Sequence, residues 1–228
     1  MKNLIVLTGA GISAESGLKT FRDSDGLWEG YKIEDVATHE AFLHNPKLVL
    51  DFYNMRRTQV VNASPNDAHF SLAALEEFFN VVIITQNVDD LHERAGSSNV
   101  FHLHGEILKM RSSANPALQY PVKEDILVGD LAEDGAQLRP DIVWFGEPVP
   151  MMNMAIEFTK LADIFVIMGT SLVVYPAASL LDFKPADIPW FVIDQKTPEL
   201  LHSNNLTIIE EKASIGSKIL IDKLKMLI

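Results

Sequence analysis

LTGAGISAESGLKTFR, residues 7–22, follows directly on the apolar run NLIVL at 3–7. Its Gly9-x-Gly11-x-x-Ala14 spacing comes close to the strand–turn–helix of a dinucleotide site. There, glycines let the backbone approach a pyrophosphate and the start of a helix faces the phosphate charge. The same spacing also suits a plain tight connection between a strand and a helix. In an ordinary dehydrogenase an acidic residue about 20 positions further on, at the end of a second strand, grips the adenine ribose. That distance lands here on Glu34 and Asp35, inside KIEDVATHEAFL, whose pattern is helical. Hydride transfer is therefore disfavoured, while the phosphate-cradling physics survives: Ser13 adds a hydroxyl and Arg22 a charge.

Working outward, short apolar runs recur at 3–9, 80–87, 99–105, 141–147, 163–171, 189–194 and 205–211, separated by helical patterns. Runs apolar on both faces suit a parallel sheet covered by helices, so the fold class is α/β. Ser64-Pro65 offers a helix cap with proline at the first helical position, and residues 214–228 read as a closing helix. Between the first turn and residue 80 lie about seventy residues with helical stretches and no clear strand, too long for a simple crossover. Residues 106–139 are polar and turn-rich. The expected division is a large lobe of about 1–30, 80–105 and 140–228, with a small lobe built from inserts at about 31–79 and 106–139.

The 228 residues are 47% hydrophobic and 22% charged, enough for one sizeable core. No stretch of about 18 apolar residues occurs, so the expectation is a soluble, cytoplasmic monomer without membrane contact. A net charge of −12 with no basic stripe argues against nucleic acid. It suits basic peptides as partners, or serves solubility alone. Zero cysteines exclude disulfides, thiolate nucleophiles and cysteine-ligated zinc.

Four further stretches carry chemistry. TQNVD at 85–89 places Gln86, Asn87 and Asp89 at the carboxyl edge of a strand, where open α/β sheets bind ligands; the alternative is an Asn/Asp helix cap. FHLHG at 101–105 puts His102 and His104 on one face of a strand. With no cysteine and few neighbouring histidines a metal pair lacks partners, and His104 at the strand end is the better general base. RPDIVWFGE at 139–147 sets Val143, Trp144, Phe145 and Gly146 at another strand end, as an aromatic wall for an extended peptide or as packed core. GTS at 169–171 adds small hydroxyl residues suited to a ribose, a phosphate or a turn.

Taken together and in order, GAGIS (9–13), GLKTFR (17–22), TQNVD (85–89), HG (104–105), RPDIVWFGE (139–147), GTS (169–171) and KAS (212–214) resemble the sirtuins, NAD-dependent protein lysine deacylases, over nearly the whole chain. The resemblance implies a Rossmann-like parallel sheet with helices on both faces plus a small second lobe, and NAD consumed as a co-substrate. It assigns Gly9, Ala10, Gly11, Ile12, Ser13, Thr20, Phe21, Arg22 and Trp28 to the NAD loop. Gln86, Asn87, Val88 and Asp89 go to the ribose and nicotinamide pocket, and Gly169, Thr170 and Ser171 to the phosphates. Asp194, Gln195, Lys196 and Ala213 fall to the adenosine end, and Val143 to Gly146 to the peptide. It further implies that the acyl-lysine oxygen attacks the anomeric carbon as nicotinamide leaves, after which His104 activates a ribose hydroxyl to take the acyl group.

Tyr53 and Arg56 stand three apart on a helical pattern, hence on one face. They resemble the Tyr-x-x-Arg pair of the sirtuins that accept succinyl and malonyl chains, Arg56 supplying a planar fork for a carboxylate. Arg57 is expected to face solvent. Two departures stand out. Most sirtuins carry four zinc-binding cysteines in the region spanning about 108–138, and this chain has none. A serine of KMRSSANP (109–116) stands where the first is often found, so Leu118, Tyr120, Val122, Ile126, Leu127 and Val128 are expected to supply the missing stability by packing, without metal. Asp194 stands where the family usually has asparagine, yet can accept ribose hydroxyls. Two alternatives remain: an ADP-ribosyltransferase or NAD hydrolase, and a non-catalytic NAD or ADP-ribose sensor.

Overall fold

The computed structural model describes residues 1–19, 28–196 and 205–227. Nine strands occur there: β1 (Asn3–Thr8), β2 (Asn80–Thr85), β3 (Val100–His102), β4 (Gly105–Ser112), β5 (Gln119–Pro121), β6 (Leu138–Ile142), β7 (Ile164–Met168), β8 (Trp190–Ile193) and β9 (Leu206–Ile209). Six form a parallel sheet in the order β3-β2-β1-β7-β8-β9, and three an antiparallel sheet in the order β5-β4-β6. Around them lie α1 (Ala10–Ser13), α2 (Ile33–Val36), α3 (His39–His44), α4 (Pro46–Asn62), α5 (Asp67–Ala74), α6 (Leu91–Arg94), α7 (Met152–Lys160) and α8 (Ala213–Lys225).

Side chains alternate along β1, so its two faces feed two cores. Leu4 and Val6 meet Ala68, Leu72, Leu220 and Leu224 of α5 and α8, while Ile5 and Leu7 meet Ala155 of α7 and Ala177 and Leu180. Helices on both faces explain why the strands lack polar positions. The chain runs from β1 outward through β2 and β3, then returns to β7 on the other side of β1. That reversal opens a crevice beyond the carboxyl ends of β1 and β7.

A third core joins α2, α3, α4 and the antiparallel sheet through Val36, Phe42, Val49, Phe52, Tyr53, Ile107, Val122, Ile126, Leu138 and Trp144. The polar insert at 106–139 thus has no separate core; it shares that of the helical insert. The helical insert contributes to that core up to Ala63, whereas α5 packs on the parallel sheet.

Several expectations need correction. The run at 141–147 is no strand of the parallel sheet: β6 ends at Ile142 and pairs antiparallel with β4. Its residues are apolar because Ile142 and Trp144 fill the small lobe. The strand expected at 99–105 stops at His102, and Gly105, at φ +83°, turns the chain into β4. Ser64-Pro65 does not cap α5. Asn66 does: its side chain accepts from the Ala68 amide at 3.0 Å, and His69 Nδ1 accepts the Asn66 amide at 3.3 Å. Leu127 and Val128 are 58% and 57% exposed, because Ile126 takes the core position of that turn.

Arg57 is the largest correction. It is 1% exposed, and its guanidinium donates to the carbonyls of Ile107 (2.9 Å) and Glu124 (3.1 Å) and to Asn54 Oδ1 (2.7 Å). Asn54 in turn bonds both the amide and the carbonyl of Ile126, at 3.0 Å each. Across the lobe, the buried Ser112 hydroxyl donates to Asp134 at 2.7 Å and accepts the amides of Ala114 and Asn115. Gln137 ties Gly129, Leu127 and Asp130 together. Directed hydrogen bonds hold the turns of this sheet, while Val122 and Ile126, with Tyr120 against them, pack into the shared core.

Candidate active site

The crevice floor is made by backbone. Gly9 N–H donates to Met168 O at 3.1 Å and Gly11 N–H to Gly169 O at 2.8 Å. A Cβ on Gly11 would lie 2.7 Å from Gly169 Cα, so any side chain there would force the two strand ends apart. Ile12 is fully buried in the sheet core, which leaves only its backbone for a ligand.

Above this floor, the chain leaving β2 gathers polar groups against α1. Asn87 Nδ2 donates to Ser13 Oγ at 3.1 Å, and Ser13 Oγ donates to Asp89 Oδ2 at 3.0 Å. Asp89 Oδ1 accepts the Leu91 amide at 3.2 Å. Burial pushes the Asp89 carboxyl up, while the Leu91 amide and the Ser13 hydroxyl pull it back. Gln86 Nε2 reaches Thr170 Oγ1 at 2.9 Å, closing the gap between β2 and β7. Thr170 is buried and Ser171 half-buried beside it. Val88 packs back against the small lobe.

His102 and His104 do not share a strand, yet both reach this segment. His102 Nδ1 meets Asn87 O at 2.8 Å, and His104 Nδ1 meets Gln86 O at 3.1 Å. A carbonyl only accepts, so His104 Nδ1 carries the proton and Nε2 is left with its lone pair. Burial lowers the imidazole's pKa below its ordinary value, with the Gln86 carbonyl opposing, which keeps it neutral near pH 7. A half-buried, neutral imidazole with a free Nε2 is a competent general base.

The small lobe supplies a second wall. Tyr53 and Trp144 are buried, with Trp144 Nε1 donating to Tyr53 Oη at 3.1 Å. The Arg139 guanidinium lies 3.3 Å from the Trp144 ring centroid and holds Glu147 at 2.6 and 3.0 Å. Trp144 is thus core rather than an open aromatic clasp. The amides of Val143, Trp144 and Phe145 are taken by His104 O, Glu147 and Ala37 O, while the Phe145 side chain, 46% exposed, and Gly146 form the exposed part of this segment. Arg56 is buried under Trp28, at 5.3 Å from its ring, and Nη1 donates to Glu29 (3.1 Å) and Gln59 (3.0 Å). Its Nε–H is buried with no hydrogen-bond partner. Burial lowers the pKa of Arg56, while the charge and hydrogen bond of Glu29 and the charge of Asp89 raise it.

At the far end, Ala213 opens α8 in a buried position. Asp194 follows β8, its Oδ1 accepting the Lys196 amide at 3.0 Å, with Gln195 and Lys196 exposed. Thr20, Phe21 and Arg22 lie outside the described residues. Sequence reasoning missed Glu29, Glu93, Asn54 and Arg57, none of which stands in a recognisable motif. Among the described residues no cluster of three metal-ligating side chains occurs, and no helix is long and apolar enough to cross a membrane.

A doubly wound parallel sheet, a glycine floor at its reversal point and a neutral histidine facing an amide–hydroxyl–carboxylate row define a nucleotide-binding enzyme of the α/β class. The chain belongs to the Sir2 family, whose description as "Sir2 family" matches residues 9–176. A Helicobacter pylori protein named NAD-dependent protein deacylase is 54% identical over 224 residues, covering 98% of each chain. A solved Sir2 homolog–NAD complex superposes with a TM-score of 0.87 at 39% identity, over 99% of this chain and 90% of that one. A Sir2 structure with a deacetylated peptide and 3'-O-acetyl ADP-ribose gives 0.80 at 29% identity, over 96% and 92%. The residues present fit a dinucleotide: glycines that let the backbone be approached closely, the hydroxyls of Ser13, Thr170 and Ser171, and the Asn87 amide beside the Asp89 carboxylate.

Proposed function

We propose that this protein is an NAD-dependent protein lysine deacylase, transferring the acyl group from lysine to ADP-ribose with release of nicotinamide. The observation that carries this reading is His104, its Nδ1–H committed to the carbonyl of Gln86, the residue next to Asn87 of the Asn87–Ser13–Asp89 row, and its Nε2 free. NAD supplies an anomeric carbon that takes the acyl oxygen as nicotinamide departs, and ribose hydroxyls that take up the acyl group. The protein's part is to orient and to move one proton. Asn87 and Asp89 hold the carboxamide, Ser13 links them to the loop at Gly9–Gly11, and Thr170 and Ser171 line the phosphate side. His104 Nε2 takes the proton of a ribose hydroxyl, and the Gln86 carbonyl stabilises the resulting imidazolium.

The small lobe favours acidic acyl chains beside acetyl. Glu29 and Gln59 occupy Nη1 of Arg56 and so orient the guanidinium, whose unpartnered Nε–H is the buried donor a terminal carboxylate would satisfy. The test is incubation with NAD and acetyl-, succinyl- and malonyl-lysine peptides, weighing the products. Nicotinamide release that requires peptide, with acyl-ADP-ribose formed, is the expected result. Release without peptide would make the protein an NAD hydrolase or ADP-ribosyltransferase, and no release a sensor.

A further inference from the structure

His102 has no part in the proton transfer, yet it is the better-anchored of the two histidines. Its Nε2 lies 2.8 Å from Glu93 Oε1, and its Nδ1 lies 2.8 Å from the carbonyl oxygen of Asn87. Neither partner can donate: one is a carboxylate and the other a carbonyl. Both ring nitrogens must therefore carry protons, which makes the ring an imidazolium. The side chain is 7% exposed, while Glu93 is 40% exposed on α6 and remains hydrated.

We propose that His102 is a positioning residue for the NAD reaction: as a cation clamped between Glu93 and Asn87 O, it sets the turn from Asn87 to Asp89 that receives the nicotinamide end of the dinucleotide. This rests on the NAD-dependent reading above. One carbonyl earlier, His104 grips Gln86, so two histidines hold two successive carbonyls of the same turn, one ring charged and the other neutral.

The charges facing His102 support the division. Glu93 comes from α6 and Glu106 from β4, both acidic, and Asp89 lies beyond Asn87; Lys109 of β4 acts on Glu93, and His92 of α6 is held neutral. Burial opposes the imidazolium, but the hydrogen bond and charge of Glu93 and the Asn87 carbonyl outweigh it, so the pKa of His102 lies above its ordinary 6.5. The cation is therefore present through pH 6.5 and is lost only as pH rises through that folded value. The productive form pairs charged His102 with neutral His104. Activity rises as His104 loses its proton below pH 6.5 and falls as His102 loses its own above it.

The experiment follows kcat/KM for NAD with saturating acetyl-lysine peptide across pH in the wild type, Glu93→Gln and His102→Gln, with proton NMR titration of His102 in the first two. In Glu93→Gln the alkaline limb and the NMR pKa should both move down by about one pH unit. In His102→Gln the alkaline limb should vanish and KM for NAD should rise about tenfold as the turn loosens. An alkaline limb in one place in all three proteins would overturn the proposal, as would a His102 that titrates below 6.5 in the wild type. If the wild type consumes no NAD with any peptide, the deacylase reading fails instead, and the NMR titration still decides whether His102 is a clamped cation.

Discussion

His104 and Gln86 stand eighteen residues apart in the chain, yet Nδ1 of one lies 3.1 Å from the carbonyl oxygen of the other. That single bond selects the tautomer that leaves Nε2 basic. Replacing His104 with alanine should lower kcat by about 10²- to 10⁴-fold, the usual worth of a positioned general base. NAD binding measured by calorimetry should persist. A variant that keeps most of its turnover would show that another group removes the proton.

Arg56→Met removes the buried guanidinium while keeping a flexible stem of similar reach. The kcat/KM for succinyl- and malonyl-lysine peptides should fall at least tenfold, about 1.4 kcal/mol, relative to acetyl-lysine. Equal losses on acetyl and succinyl substrates would remove Arg56 from acyl recognition.

Arg57→Ala leaves the carbonyls of Ile107 and Glu124 and the Asn54 amide oxygen without their charged donor. Each such bond contributes about 1.5 kcal/mol or more, and Asn54 Oδ1 keeps the Ile126 amide, so the two carbonyls left bare put the loss at about 3 kcal/mol. In a chain of this size that is a drop of roughly 6–12 °C in Tm, measurable by calorimetry. An unchanged Tm would mean that the antiparallel sheet is held by other means. EDTA, in contrast, should alter neither Tm nor activity.

His69 and His92 meet ring to ring at 4.9 Å, both fully buried. Desolvation lowers the pKa of His69 to about 4, with Glu93 partly opposing, and lowers that of His92 well below 6.5. A folded pKa below the unfolded 6.5 means that the unfolded chain binds more protons in that interval. The stability is complete above pH 6.5 and is lost as pH falls toward 4, by about 3 kcal/mol for His69 alone. Melting curves from pH 7.5 to 4.5 should show this decline. A flat profile would place these rings in contact with water.

The sheet and the loops at its carboxyl edge are legible in the sequence because their signals are local. Apolar runs such as 3–8 and 164–168 mark buried parallel strands, and the glycines of 9–11 with TQNVD and HG mark the carboxyl edge. What escapes is decided by distant partners. Arg56 and Arg57 are neighbours on one helix, about 100° apart around its axis, and only the packing of residues 107–126 makes Arg57 the structural one. In SPND three residues could cap α5, and His69 settles the choice on Asn66. The run at 141–147 mimics a central strand because Trp144 is covered by Tyr53 and Arg139, a burial that spacing alone does not reveal. Glu93 acquires its role only because α6 brings it to His102.

Helix α4 acts as a ruler read from both edges. On the reading proposed above, Tyr53 and Arg56 measure out the acyl pocket on one edge, and Asn54 and Arg57 are fastened to the small lobe on the other. A rigid rod cannot move one edge without the other, so a sequence change among residues 122–130, remote from any substrate, would shift the distance between the Arg56 fork and His104. Acyl-chain length preference could then be retuned from a loop on the far edge of the helix, through the bonds of Asn54 and Arg57.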